Sequence, residues 1–202
     1  LVAIGDKNGH VSIWNVITGH LEKQIAAHSG PINNILFDPA GLYLATSSKY
    51  EGIAIWSIGT FDLKARLTDL AVDVEHMAIS PNGEALVSVH TSNSSQVILW
   101  DARQWQMHKV LNGHYGLVYR AAFNPSGSLL ATAGGSSGSL FARPSESRIR
   151  LWRIPDGTMI ESIDFTGSET TGLAFSPDGK EMVLSTYDGV INRCDVAEVS
   201  NY

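Results

Sequence analysis

Cysteine is nearly absent from this sequence: a single residue, Cys194, among 202 excludes any internal disulfide framework. No apolar run approaches the ~18 residues that a bilayer-crossing helix needs, and the opening, LVAIGDKNGH, has neither a basic n-region nor a cleavage site. No membrane partner and a cytoplasmic setting are therefore expected, and the opening reads as the middle of a longer array. Charge is also scarce, at 17% of residues with a formal net charge of −6. The 14 Lys and Arg gather into no basic stripe, so the electrostatic footprint of a nucleic-acid partner is missing. Helical periodicity is missing as well, because no stretch of ten residues sustains it. A hydrophobic content of 44% is nevertheless enough for a sizeable core, which predicts an ordered chain.

What is present is repetition. A branched aliphatic or Leu residue followed by Trp returns at Trp14, Trp56, Trp100 and Trp152, with Cys194 in the fifth place, at intervals of 42, 44, 52 and 42 residues. A second phrase precedes the later anchors, an apolar residue running into a Pro-Gly turn: LFDPAG (36–41), AISPNG (78–83), AFNPSG (122–127) and AFSPDG (174–179). Between these landmarks lie short apolar runs such as LYLATS, QVILW and MVLST, bounded by Gly, Pro, Asn, Asp or Ser. About four such strands fit each interval, the arithmetic of one propeller blade. A lone four-stranded sheet would expose two apolar faces, so the sheets must stack.

On these two phrases the chain resembles the WD40 repeat family along essentially its whole length. The family's Gly-His pair survives at His114, and His28 stands in AHSG; its Asp-Gly turn survives as Asp188-Gly189 and as Asn8-Gly9; Trp-Asp is intact at Trp100-Asp101. The resemblance implies an all-β, WD-type β-propeller region over 1–202, with an inserted loop at about 134–147. It also implies that the motif residues are structural, sharing a buried hydrogen-bond network within each blade. The sets expected are His28, Ser47 and Trp56, and His114, Thr132, Glu146 and Trp152. Strand counting predicts three, four, four, four and three strands. Two sheets thus fall short, and since unpaired edges are a liability, the chain is expected to be a segment of a larger, seven-bladed propeller rather than a five-bladed ring.

Enzyme chemistry finds little support. Gly134-Gly135-Ser136-Ser137-Gly138 matches G-x-S-x-G in letters, but a nucleophile elbow needs a strand-to-helix turn and later Asp and His partners. No histidine follows His114, and the motif lies in a polar Gly- and Ser-rich stretch. No histidine or cysteine spacing fits a metal site, and no phosphate loop or dinucleotide fingerprint occurs, so no cofactor is expected. The reading is a non-catalytic protein-interaction scaffold, either a propeller subunit of a multiprotein assembly or the sensor or adaptor region of a larger signalling protein, with a propeller enzyme or carbohydrate-binding lectin as the alternative. By the family's geometry, partners dock on the loops joining fourth to first and second to third strands. That selects Pro31, Asn33, Asp73, Glu75, Leu117, Tyr119, Glu169 and Thr171, with Lys7, Tyr50 and Tyr187 from the second-to-third turns. Their mixture of carboxylates and tyrosines suits a basic peptide with an aromatic anchor. The inserted loop adds Phe141 as an apolar anchor and Arg143 as a charged contact.

Overall fold

The computed structural model describes residues 1–68, 73–91, 96–135 and 147–196. Among them are eighteen strands and no helix, arranged as five antiparallel sheets of consecutive strands. The first sheet holds β1 (Val2–Gly5), β2 (His10–Trp14) and β3 (Leu21–Ala26). The second holds β4 (Ile32–Phe37), β5 (Tyr43–Ser48), β6 (Gly52–Ser57) and β7 (Leu63–Leu67). The third comprises β8 (Val74–Ile79), β9 (Ala85–His90), β10 (Gln96–Asp101) and β11 (Gln106–Leu111). The fourth comprises β12 (Val118–Phe123), β13 (Leu129–Gly134), β14 (Arg148–Arg153) and β15 (Thr158–Asp164), and the fifth β16 (Thr170–Phe175), β17 (Glu181–Thr186) and β18 (Ile191–Asp195). This is the architecture of WD-type propeller blades, with the strand distribution that the repeat spacing predicts. The chain divides into two compact units, Leu1–Glu75 and His76–Tyr202, and the division falls within β8.

The Pro-Gly phrase has a local explanation. In all four copies the glycine takes a left-handed backbone, with φ of 70° at Gly41, 70° at Gly83, 74° at Gly127 and 72° at Gly179, which costs a glycine nothing. Its N–H donates back to the carbonyl three residues earlier, at 3.0 Å to Asp38, 2.8 Å to Ser80, 2.9 Å to Asn124 and 2.9 Å to Ser176. The side chain of that same earlier residue accepts from the N–H that opens the next strand. The distances are 2.6 Å (Tyr43 to Asp38), 2.9 Å (Ala85 to Ser80), 3.0 Å (Leu129 to Asn124) and 3.0 Å (Glu181 to Ser176). An Asp, Asn or Ser before the proline therefore belongs to the turn as firmly as the glycine does.

Packing follows the register. In the first unit, Leu44 and Trp56 of the second sheet bury against Val11, Ile13 and Ile25 of the first. The second unit repeats the arrangement: Leu130 and Trp152 lie against Val87, Val97 and Leu99, and Met182 and Leu184 against Ala131, Ile149 and Leu151. Each such aliphatic side chain removed from water contributes ~1.5–3 kcal/mol. The equivalent face of the first sheet is open, for Val2, Ile4 and Trp14 are exposed.

Candidate functional site

The anchors define the geometry, because each pairs across its sheet with an apolar residue of the neighbouring strand: Trp56 with Leu44, Trp100 with Leu86, Trp152 with Leu130, and Cys194 with Met182. Two residues beyond that partner, on the same face by strand periodicity, stands the hydroxyl that receives the indole N–H. Trp56 Nε1 donates to Thr46 Oγ1 at 3.0 Å, Trp100 Nε1 to Ser88 Oγ at 2.8 Å and Trp152 Nε1 to Thr132 Oγ1 at 2.8 Å. An imidazole completes each group, with His28 Nε2 3.0 Å from Thr46, His90 Nε2 2.8 Å from Ser88 and His114 Nε2 2.7 Å from Thr132.

Two expectations change here. Ser47, expected beside His28 and Trp56, is one residue out of phase and so on the opposite face, where its Oγ receives Asn34 Nδ2 at 3.3 Å; the hydroxyl of the group is Thr46. Asp101, expected in the buried network, instead caps the turn after β10, its Oδ1 accepting the N–H groups of Arg103 at 2.8 Å and Gln104 at 3.1 Å. Asp188 holds the β17–β18 turn to the segment before β16, bonding Thr186 Oγ1 at 2.5 Å and Ser168 Oγ at 3.1 Å. Glu146 lies outside the described residues.

Three groups went unforeseen. His90 supplies its ring from the same strand as the hydroxyl it meets, where the motif offers no hint of it. Glu51 takes the acidic place beside His28, its Oε2 3.4 Å from Nδ1 as a charge contact rather than an aligned hydrogen bond, while Oε1 accepts Ser29 N at 2.8 Å. In the fourth sheet a cation meets the other face of the ring: Arg150 Nη1 lies 2.7 Å from His114 Nδ1. A guanidinium can only donate, so Nδ1 accepts and Nε2 carries the proton toward Thr132. Beside Glu51, by contrast, a proton on His28 Nδ1 is favoured. In the fifth sheet Leu184 replaces the hydroxyl and Cys194 the indole, so the buried polar group is dropped as a whole. Burial raises the Cys194 thiol above its ordinary value.

Burial also decides the imidazoles. It lowers His28, with Glu51 opposing and Arg66 assisting. His90 is pushed down to about 4 by burial, and His76 to about 4 by burial with help from Arg120. These rings are neutral in the folded protein at pH 7. Among the described residues no three His, Cys, Asp or Glu gather as a metal would require.

The candidate docking residues sit at one end of the strands within each unit. A β-bulge shifts the register of β4, β12 and β16 against their neighbours, and the residues at which the register steps are Asn33, Tyr119 and Thr171. A bulge re-aims the side chain it releases. Asn33 Nδ2 reaches the Val74 carbonyl at 3.2 Å, and Thr171 Oγ1 lies 3.0 Å from Ser185 Oγ. The next residue of each inner strand clips the following one. Asn34 Nδ2 donates to the Glu75 carbonyl at 3.1 Å, His76 Nδ1 accepts Ala121 N at 3.4 Å, and Arg120 Nε donates to the Thr171 carbonyl at 2.9 Å. In the first unit Lys7, Pro31, Asn33 and Tyr50 are exposed and Asp73 and Glu75 half-buried. Leu117, Tyr119 and Glu169 are half-buried in the second, Thr171 is exposed, and Tyr187 is 81% exposed on the β17–β18 turn. Leu117 and Glu169 serve through their carbonyls, accepting Gly135 N at 3.2 Å and Tyr187 N at 2.8 Å. Phe141 and Arg143, like Ser136, lie outside the described residues.

With the anchors, hydroxyls and imidazoles in place, the family profile described as "WD domain, G-beta repeat" matches residues 19–57 and 105–153. The chain carries WD40 repeats. Relatives with longer alignments include the "Periodic tryptophan protein 2 homolog" of Dictyostelium discoideum, 26% identical over 94% of this chain and 20% of that protein. "Protein hir1" of Schizosaccharomyces pombe is 27% identical over 96% of this chain and 22% of that protein. The "Chromatin assembly factor 1 subunit FAS2 homolog" of Oryza sativa subsp. japonica is 27% identical over 65% and 28%. This WD40 chain therefore spans about a fifth of the length of the first two relatives.

Proposed function

We propose that these WD40 blades act as a non-catalytic scaffold within a multiprotein assembly, binding a protein segment at the strand-end row of each unit. The observation that carries the reading is the recurrence of the bulge. The position released at Asn33, Tyr119 and Thr171 holds a different side chain in each sheet while the backbone device is constant, which suits a surface where a rigid frame presents variable contacts. The likeness to a relative named as a chromatin assembly factor subunit supports a role in assemblies. In the second unit the partner fitted by Tyr119, Tyr187 and Glu169 is a basic segment with an aromatic anchor, and in the first unit Asp73 and Glu75 favour the same charge. Every histidine that could serve as a base among His28, His76 and His90 is engaged by a structural neighbour, which supports the non-catalytic reading. Selection of a random peptide display library on the whole chain tests this. Enrichment of Lys- or Arg-rich peptides with an aromatic residue is expected, and enrichment of acidic or featureless peptides overturns the partner class.

A further inference from the structure

The second unit has another end. β10, β12, β14 and β16 are each six residues long, so ~20 Å at ~3.3 Å per residue separates the bulged ends of β12 and β16 from the turns that follow β10 and β14. At those turns lies a cavity of ≈ 220 Å³. Ala85, Leu99, Ile154 and Pro155 line its apolar part, continuous with the core in which Val87, Leu130 and Trp152 pack. Its mouth is charged. Glu84 and Arg103 form an exposed ion pair there, and the turn-capping Asp101 adds a second carboxylate, with the imidazole of His108 beside it.

We propose that this cavity is a second docking site, independent of the strand-end row, that takes one large apolar side chain of a protein segment carrying Lys or Arg beside it. The volume argues for a single side chain, because pockets for whole small-molecule ligands run to ~300–1,000 Å³. The apolar walls argue for Phe, Leu or Met as the anchor, since burying such a group gains ~25 cal/mol per Å² removed from water. The mouth chooses the flanking charge: two carboxylates, Glu84 and Asp101, stand against one guanidinium, with His108 as the other titratable side chain of the lining, and the net charge of −6 favours approach of a cation. A scaffold needs two separate surfaces to hold two partners, and a side-chain cavity at one end with a bulged row at the other supplies them.

The test uses the whole chain and two labelled heptapeptides, Gly-Ser-Lys-Phe-Arg-Ser-Gly and its counterpart with Ala for Phe, followed by fluorescence anisotropy. The Phe peptide is expected to bind at least tenfold more tightly. Ile154→Asp should remove that preference, whereas Tyr119→Ala, at the other end, should leave it unchanged. Amide shifts of the unmutated protein give a reading that does not depend on any variant folding, and they should cluster on Ala85, Leu99, Asp101 and Ile154. Equal binding of the two peptides, shifts confined to Tyr119, Thr171 and Tyr187, or full affinity in a folded Ile154→Asp protein would each overturn the proposal. Loss on Tyr119→Ala alone would assign the peptide to the strand-end row and leave that first reading standing.

Discussion

Thr46 stands at the centre of the best-defined group in the first unit, receiving the Trp56 indole N–H and meeting His28. Thr46→Val keeps the shape and removes the acceptor, so a buried donor is stranded at a cost of ~1–3 kcal/mol. Ser47→Ala, one residue along, releases only the Asn34 amide, which keeps its bond to the Glu75 carbonyl, and should cost clearly less. Urea unfolding of both variants checks the assignment, and equal losses would contradict it. The mirror change, Leu184→Thr, should also destabilise, because it brings a hydroxyl where Cys194 offers no indole donor. Why Ser47 was the expectation is physical: adjacent residues of a strand face opposite sides, and only the cross-strand register, Leu44 against Trp56, says which one shares the anchor's face. His90 and Arg150 were illegible for a related reason, since their role depends on strand pairing and not on any spacing within a motif.

The neutral histidines carry a pH dependence. His76 and His90 titrate at about 4 in the fold, against 6.5 for an unburied ring, so the unfolded chain binds protons that the folded one refuses. Their contribution is fully present above pH 6.5 and is lost as pH falls from there toward 4. The slope approaches ~1.4 kcal/mol per pH unit for each ring. Denaturant midpoints measured between pH 7 and 4.5 should fall accordingly, and His90→Asn should flatten the decline; an unchanged slope would remove His90 from the account.

Among the elements, the Pro-Gly turns and the tryptophan strands were readable directly, because turn chemistry and strand alternation are local. The fifth sheet differs from its neighbours in a way the sequence announces through Cys194. Its anchor pair, Met182 with Cys194, has no indole, no hydroxyl and no imidazole, and among the described residues β18 is paired on one side only. Hydrogen exchange should find Ile191–Asp195 less protected than Gln96–Asp101. Equal protection would mean that apolar packing there replaces the polar group in full. The bulges were not foreseen as such, although the residues they release at Asn33, Tyr119 and Thr171 were selected by their distance from the histidine place.

For the whole molecule, the first sheet leaves Val2, Ile4 and Trp14 exposed, on the face that the second sheet buries against its predecessor. Together with the pairing of β1 and β18 on one side only among the described residues, this predicts that the isolated 202-residue chain associates as concentration rises. Light scattering across a hundredfold dilution checks it, and a monomer throughout would contradict it. The scaffold reading itself rests on the strand-end row. Its most direct test is calorimetric titration of the strongest display-selected peptide into the unaltered chain and into Tyr119→Ala/Tyr187→Ala. The account predicts at least a tenfold loss of affinity, about 1.4 kcal/mol, with an unchanged unfolding midpoint; affinity retained in the folded double variant would contradict it.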